Sequence, residues 1–221
     1  MKLKSNSLIF FFLLSIILST TTHAKKIQDS STISKLEAAF KNTKTVEATF
    51  REEIFFKTIG TKKTSEGTLV LKRPFFVRWD IKKPDPSLFV SNGNTAWYYT
   101  PPFFKGDQGQ ATHIQKKGVF KNLAMRLLSG SIDLKKEFSI KLLDPKALKV
   151  ELKPLKSSEQ DTESILLTLD KKVYYPKEIE IHQMGGNITT VYLNELKFNG
   201  SIDTSQFSFT PPKGTAIVTQ K

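Results

Sequence analysis

The stretch Leu69–Asp80, LVLKRPFFVRWD, decides the fold class of this chain. It contains two strand-like apolar runs, predicted at 66–73 and 75–81, with Arg73 immediately before Pro74 at their junction. Three aromatic residues lie in its second half: Phe75, Phe76 and Trp79. An arginine among large apolar side chains is costly to bury unless it is hydrogen-bonded. Its role therefore depends on whether the strands enclose a packed core or a hollow.

Further strand patterns lie on both sides of this stretch. Upstream, VEATFREEIFFK (46–57) alternates apolar and polar residues, with Glu52 an exception on the apolar face, which is typical of a half-buried strand. Downstream, Asn92-Gly93 and Gly185-Gly186 predict tight turns between strands. The other predicted strands are 87–92, 95–100, 137–143, 147–153, 163–170, 177–184, 187–198 and 206–210. Short connections between successive strands predict a mainly β, antiparallel fold with few helices.

Two segments have helical spacing instead. The first is a short segment near the N-terminus, with Ile33, Leu36, Ala39 and Phe40 on one face. The second lies in VFKNLAMRLLS (119–129), where the apolar face consists of Phe120, Leu123, Ala124, Leu127 and Leu128. Glycine-containing joins flank this second helix. It is expected either to lie across the sheet as a lid or simply to pack on one sheet face, and the pattern does not distinguish the two.

The N-terminus predicts a cleaved secretory signal peptide at 1–24. Lys2 and Lys4 precede the apolar run 8–18, and Thr22-His23-Ala24 suits cleavage after Ala24. The remaining residues, 25–221, are expected to form a single domain, because no linker or repeat divides them. The chain has no cysteine, so we expect neither disulfides nor lipidation of the mature N-terminus, and a periplasmic location.

The charge of the chain is strongly basic. Formal net charge is +13, and removal of the two signal-peptide lysines leaves +11. Such a charge suits anionic partners, but a solvated basic face explains it equally well.

Motifs for catalysis are missing from the sequence. Outside the predicted signal peptide, the histidines are His113 and His182, in different segments, and no nucleophile, metal-ligand, phosphate-loop or dinucleotide motif occurs. We therefore expect no enzymatic activity and no cofactor. Export argues against a nucleic-acid partner, and the chain is expected to act as a monomer.

Two blocks of the sequence resemble the LolA family of periplasmic outer-membrane lipoprotein carriers. The first, Gly67–Pro101, matches through Lys72-Arg73-Pro74, Trp79, Pro84-Asp85, Leu88-x-Val90-Ser91-x-Gly93 and Trp97-x-Tyr99. The second is Phe207-x-Phe209-x-Pro211-Pro212-x-Gly214. The resemblance implies an incomplete, unclosed antiparallel β-barrel covered by an α-helical lid, with a hydrophobic cavity between them. Where the family often has a large aromatic after the Arg-Pro pair, this chain has Val77.

The resemblance also implies a function and partners. Such carriers accept triacylated lipoproteins from an inner-membrane ABC-type release complex, shield their acyl chains, and pass them to an outer-membrane receptor lipoprotein. A module of the same fold that senses or holds lipid or lipoprotein without delivering it is the alternative. The residues expected to line the cavity are Phe50, Phe56, Leu69, Leu71, Phe75, Val77, Trp79, Val90, Phe120, Leu123 and Leu127.

The family resemblance suggests a role for Arg73 as well. The matching arginine hydrogen-bonds the lid and holds the empty carrier closed. We accordingly expect Arg73 to latch the helix at 120–128, with lid carbonyls as its partners. The alternative is an ordinary surface arginine at a strand end.

Overall fold

A computed structural model describes residues 20–115, 126–128, 132–156 and 162–220, with side chains from residue 30 onward. Most of the predicted signal peptide lies outside these ranges. Helix α1 spans Thr20–Asn42, a helical segment covers 126–128, and the short helix α2 spans Leu134–Glu137. The strands are β1 Thr45–Phe56, β2 Thr61–Lys72, β3 Phe76–Lys83, β4 Ser87–Asn92, β5 Thr95–Thr100, β6 Gln110–Gln115, β7 Phe138–Asp144, β8 Lys149–Pro154, β9 Thr162–Leu169, β10 Pro176–Gln183, β11 Ile188–Phe198 and β12 Ala216–Gln220.

The twelve strands of the described ranges belong to one unclosed sheet. Their order is β12-β6-β5-β4-β3-β2-β1-β11-β10-β9-β8-β7, so β12 and β7 form the two edges. Every neighbouring pair is antiparallel except β12 and β6, which are parallel. This arrangement confirms the predicted unclosed antiparallel β fold, and the described part of the lid consists of α1 and the helical segment 126–128. Among the described residues, no helix is long and apolar enough to cross a membrane.

Three local predictions were wrong. Strands β6 and β12 were not predicted, because their short sequences QATHIQ and AIVTQ lack a sustained apolar alternation and gain their order from pairing. The predicted strand 206–210 is not a strand, and its first two residues belong to a 3₁₀ helix, Thr204–Phe207. The Asp203 carboxylate accepts a hydrogen bond from the Ser205 backbone N–H at 2.9 Å, which caps this helix.

The hairpin at Asn92-Gly93 is confirmed. Gly93 has φ of +86°, which glycine adopts without strain. The Asn92 side-chain oxygen accepts hydrogen bonds from the backbone N–H groups of Asn94 and Thr95, both at 3.0 Å. This is the turn chemistry that the sequence predicts.

The sheet buries both of its faces over part of its area. The inner face is the one covered by α1 and 126–128, and it forms the larger apolar cluster; α1 contributes Leu36 and Phe40. On the outer face, Ile202 and Phe207 from the segment after β11 pack on Leu88 and Val90 of β4. Strand β3 therefore contributes alternate residues to the two faces.

Candidate functional site

Arg73 lies in the turn between β2 and β3, at one end of the inner face. Its backbone N–H donates to the carbonyl of Lys44 at 2.8 Å, which fixes the turn beside the start of β1. Since α1 ends at Asn42, the same turn lies next to the C-terminus of that helix. The sequence thus places the arginine where a helix end and the sheet meet.

The Arg73 guanidinium bridges two helical elements. One terminal nitrogen, Nη1, donates to the carbonyl of Phe40, and the other, Nη2, donates to the carbonyl of Leu128 at 3.5 Å. The last four carbonyls of a helix have no partner within the helix and carry a partial negative charge, so a cation is favourable there. The contact with Leu128 is at the long limit for a hydrogen bond and is the weaker of the two.

Aromatic rings surround the same guanidinium. It lies 5.3 Å from the centroid of the Phe40 ring, close enough for a cation–π interaction. Phe40 packs on Tyr175, whose ring centroid is 5.4 Å away. The fully buried Tyr175 hydroxyl makes no hydrogen bond of normal geometry to the described residues, although the arginine is near enough for its charge to act on it.

Burial dominates the electrostatics of this site. It lowers the pKa of Arg73, while Tyr175 opposes that shift. It also raises the pKa of Tyr175, against the smaller lowering effect of the Arg73 charge. An arginine stays protonated even so, so the site contains a desolvated positive charge whose stability depends on the carbonyls that it meets.

Ion pairs connect the two helical elements through α2. Arg126 Nη2 lies 2.5 Å from Glu137 Oε2, which ties 126–128 to α2. Lys135 Nζ lies 2.7 Å from Glu37 Oε2, which ties α2 to α1. Such partly exposed pairs contribute little stability individually, so they position the covering helices more than they fasten them.

Six of the predicted lining residues share the inner-face cluster. They are Phe50, Leu69, Leu71, Val77, Trp79 and Leu127, all buried. The rings of Phe50 and Trp79 lie 4.1 Å apart. Leu36 and Phe40 of α1, with Leu128, belong to the same cluster, so these residues are packed against protein.

The structure places three other predicted lining residues elsewhere, and two lie outside the described residues. Val90 is on the outer face because it pairs with Arg78, while its neighbour Phe89 pairs with Trp79 and packs on the inner-face cluster. Phe75 is 36% exposed in the turn, and Phe56 is only half-buried at the end of β1. Neither belongs to the inner-face cluster. Phe120 and Leu123 fall in the undescribed range 116–125.

Several residues of the site were missed by the sequence reasoning. Phe40 was assigned to a helix, but no local signal links its carbonyl to Arg73, 33 residues away. Glu52, noted as an exception on an apolar strand face, is partly buried and accepts a hydrogen bond from Ser65 Oγ at 3.1 Å. Burial raises the pKa of Glu52.

A cleft of about 470 Å³ adjoins the Arg73 site. It lies between α1 and the turn 170–175, and Tyr175 borders it. Across it, Lys35 Nζ donates to the Tyr174 hydroxyl at 3.1 Å. The cleft separates α1 from the turn 170–175.

The fold is an unclosed antiparallel sheet with a large apolar face under helical elements, and the partly buried Arg73 hydrogen-bonds two of these elements. These features define the class of the protein. It is a one-sheet fold that covers an apolar surface with helical elements. The family model "Outer membrane lipoprotein carrier protein LolA" matches residues 41–210, and the chain belongs to this family. The resemblance predicted from the two sequence blocks is thereby confirmed.

Relatives of the chain carry the same description. An outer-membrane lipoprotein carrier protein of Dechloromonas aromatica is 27% identical over 207 residues, which cover 91% of this chain and 95% of that protein. Another, from Nitrosospira multiformis, is 27% identical over 224 residues, with both chains covered completely. In fold, the chain is similar to an uncharacterized conserved protein from Thermus thermophilus, with a TM-score of 0.53, 12% identity, and coverage of 86% of this chain and 98% of the other.

Proposed function

We propose that this protein is a periplasmic carrier that shields the acyl chains of lipoproteins on the inner face of its sheet. The observation that carries the proposal is the partly buried Arg73 guanidinium, which connects α1 and 126–128 above an apolar face. Family membership and the names of its relatives support the same function.

The structure corresponds to a closed, empty carrier in this proposal. Acyl chains reach Leu69, Val77 and Trp79 only when the covering helices move away from them. Opening breaks the contacts of Arg73 with two backbone carbonyls, each worth about 1.5–3 kcal/mol for a charged donor at normal geometry. The long contact with Leu128 falls below that range, so the Phe40 carbonyl is the main holding point.

Cargo supplies enough free energy to open the carrier. Burial of each methylene is worth about 0.8 kcal/mol, so one long acyl chain contributes on the order of 12 kcal/mol. That exceeds the arginine contacts severalfold. Opening also removes Leu36, Phe40, Leu127 and Leu128 from the inner face, and acyl chains that take their place compensate for that loss of apolar contact. Binding can therefore displace the helices, while the re-formed contacts favour release once a receptor accepts the chains.

The partners follow from this cycle and from the family. We propose triacylated lipoproteins as cargo, an inner-membrane ABC-type release complex as donor and an outer-membrane receptor lipoprotein as acceptor. Residues 1–24 act as the export signal in this scheme. The carrier works as a monomer.

A release assay tests the proposal. Spheroplasts that make a labelled outer-membrane lipoprotein are incubated with the chain from residue 25 onward, and label is sought in the supernatant bound to it. The shuttle function predicts release, followed by transfer to outer membranes. Release without transfer indicates a holding or sensing protein, and no release with cognate membranes contradicts the carrier function.

Arg73→Leu tests the latch, and Arg78→Leu is its matched control. Arg78 also donates to a backbone carbonyl, that of Gln206 at 3.2 Å, but it lies on the outer face. We expect Arg73→Leu to take up cargo and to transfer it poorly, because the closed state no longer competes with the cargo. Arg78→Leu should transfer normally, and equal transfer by both variants would show that Arg73 is not a latch.

A further inference from the structure

The hairpin loops at one end of the sheet expose large apolar side chains. This end, named here the loop rim, consists of the loops 57–60, 84–86, 101–109 and 184–187. Strand pairing places them together: β1, β3, β5 and β10 all run toward this end. Arg73 lies at the opposite end, in the turn between β2 and β3.

Among the described residues, four of the five most exposed large apolar side chains lie at the tips of these loops. Phe103 is 78% exposed, Phe104 and Ile59 are each 68% exposed, and Met184 is 62% exposed. Phe103 and Phe104 pack edge to face, with ring centroids 4.9 Å apart. Together they form an apolar projection from loop 101–109.

Hydrogen bonds within the loop fix this projection. Phe104 N–H donates to the Asp107 carboxylate at 3.2 Å, and Asp107 N–H donates to the Phe104 carbonyl at 3.1 Å. The loop is therefore ordered before any partner binds, so exposure of the two rings does not result from a missing local structure. An ordered apolar projection of this kind marks an interaction surface.

Lysines lie beside the apolar tips. The exposed lysines of the loop rim and its flanking strand ends are Lys57, Lys62, Lys63, Lys82, Lys83 and Lys105. Three of these lysines are in ion pairs at 2.8 Å, Lys62 with Glu53, Lys63 with Asp85 and Lys82 with Asp80, while the Asp107 carboxylate closes its own loop. Among the described residues, Lys57, Lys83 and Lys105 have no ion pair and supply the positive charge of the rim. The rim thus combines a positive surface with apolar side chains that extend beyond it.

We propose that the loop rim docks on the interface of an anionic phospholipid bilayer, with Phe103 and Phe104 inserted among the lipids. Aromatic rings are favoured at the level of the lipid headgroups, and lysines extend their ammonium groups toward anionic ones. A protein partner on the same loops would have to combine an apolar pocket for the two rings with acidic groups near the unpaired lysines. A bilayer supplies apolar depth and negative charge together. This inference is independent of the function of the inner face.

Vesicle flotation tests the proposal with the chain from residue 25 onward. We expect it to float with vesicles of phosphatidylglycerol and phosphatidylcholine at low salt, and to float much less with phosphatidylcholine alone. Phe103→Ser combined with Phe104→Ser should lower partitioning by about tenfold or more, since binding scales with buried apolar area. Lys83→Gln and Lys105→Gln should each lower it by about fivefold, and added salt should weaken it.

Two controls lie at the other end of the sheet. The control variants are Val173→Ser, at an exposed apolar residue of the turn 170–175, and Lys171→Gln in the same turn. Both should bind vesicles as the wild type does. No flotation of the wild type with the anionic vesicles would overturn the proposal. Equal losses from the control and rim variants would do the same. Concentration-dependent self-association that the phenylalanine pair abolishes, without vesicle binding, would identify a second copy as the occupant instead.

Discussion

Gly67 in β2 occupies a position where even one added methyl group should be destabilising. A Cβ built on Gly67 lies 2.0 Å from the carbonyl oxygen of Asp80 and 2.9 Å from Phe50 Cζ. The first neighbour is backbone in β3, paired with β2, and the second is a buried ring packed on Trp79. Neither can rotate away cheaply, because both belong to the best-packed part of the inner face.

We expect Gly67→Ala to lower the free energy of unfolding by about 3 kcal/mol, at the upper end of what overpacking a core usually costs. The alanine forces β2 and β3 apart beside the register shift between Glu66 and Gly67, which weakens the pairing that positions Arg73. Urea unfolding followed by far-UV circular dichroism measures the difference, provided that the denaturant slope is unchanged.

Gly185→Ala is the matched control for the same substitution. A Cβ at Gly185 meets nothing within 4 Å, and the residue does not have positive φ. Its unfolding free energy should stay within about 0.5 kcal/mol of the wild type. A Gly67→Ala protein equally close to the wild type would refute the steric reasoning, because the strands would then have room for the side chain.

Three further predictions concern other parts of the fold. Glu52→Gln should stabilise the protein at pH 7 but not at pH 4, when compared by urea unfolding with Glu66→Gln. Burial raises the folded-state pKa of Glu52 above its unfolded value, so the ionised carboxylate costs stability at a pH above the folded pKa. That cost disappears at a pH below the unfolded pKa. Phe207→Ala should lower the free energy of unfolding by about 3–4 kcal/mol, because the buried ring packs on Phe76 with centroids 5.3 Å apart. Ser208→Ala, at an exposed position, should have little effect in the same thermal or urea unfolding assay. In a Trp97→Phe background, Trp79 is the remaining tryptophan, and addition of a soluble lipopeptide should shift its fluorescence emission maximum. An unchanged spectrum despite saturable binding would place the ligand away from the inner face.

The strands around Arg73 were predictable because their pattern is local. In β3, alternation separates Val77 and Trp79 from Phe76 and Arg78, and the structure shows the same separation. The assignment of Val90 failed for a related reason: alternation defines two faces within one strand, but only the pairing register relates them to the faces of the next strand.

The partners of Arg73 illustrate what no local pattern contains. The sequence resemblance directed attention to the helix at 120–128, whereas the better contact is with the carbonyl of Phe40 on α1. Backbone carbonyls exist at every residue, so their use as acceptors leaves no trace in the sequence. The register of β2 against β1 and the point where α1 ends decide which carbonyl is within reach.

Carbonyl acceptors suit a latch that must open. A carboxylate partner would form a charged, bidentate pair with Arg73, which would make the closed state harder to open. Phe40, in the last turn of α1, and Leu128, in the helical segment 126–128, present neutral carbonyls, which water satisfies readily once they are exposed. Opening therefore leaves a single charge to be solvated, that of Arg73, at the end of the sheet and beside the cleft that Tyr175 borders. In the proposed carrier, the arginine contacts contribute a few kcal/mol to the closed state, well below the contribution of one acyl chain, so these contacts alone would not prevent cargo from entering.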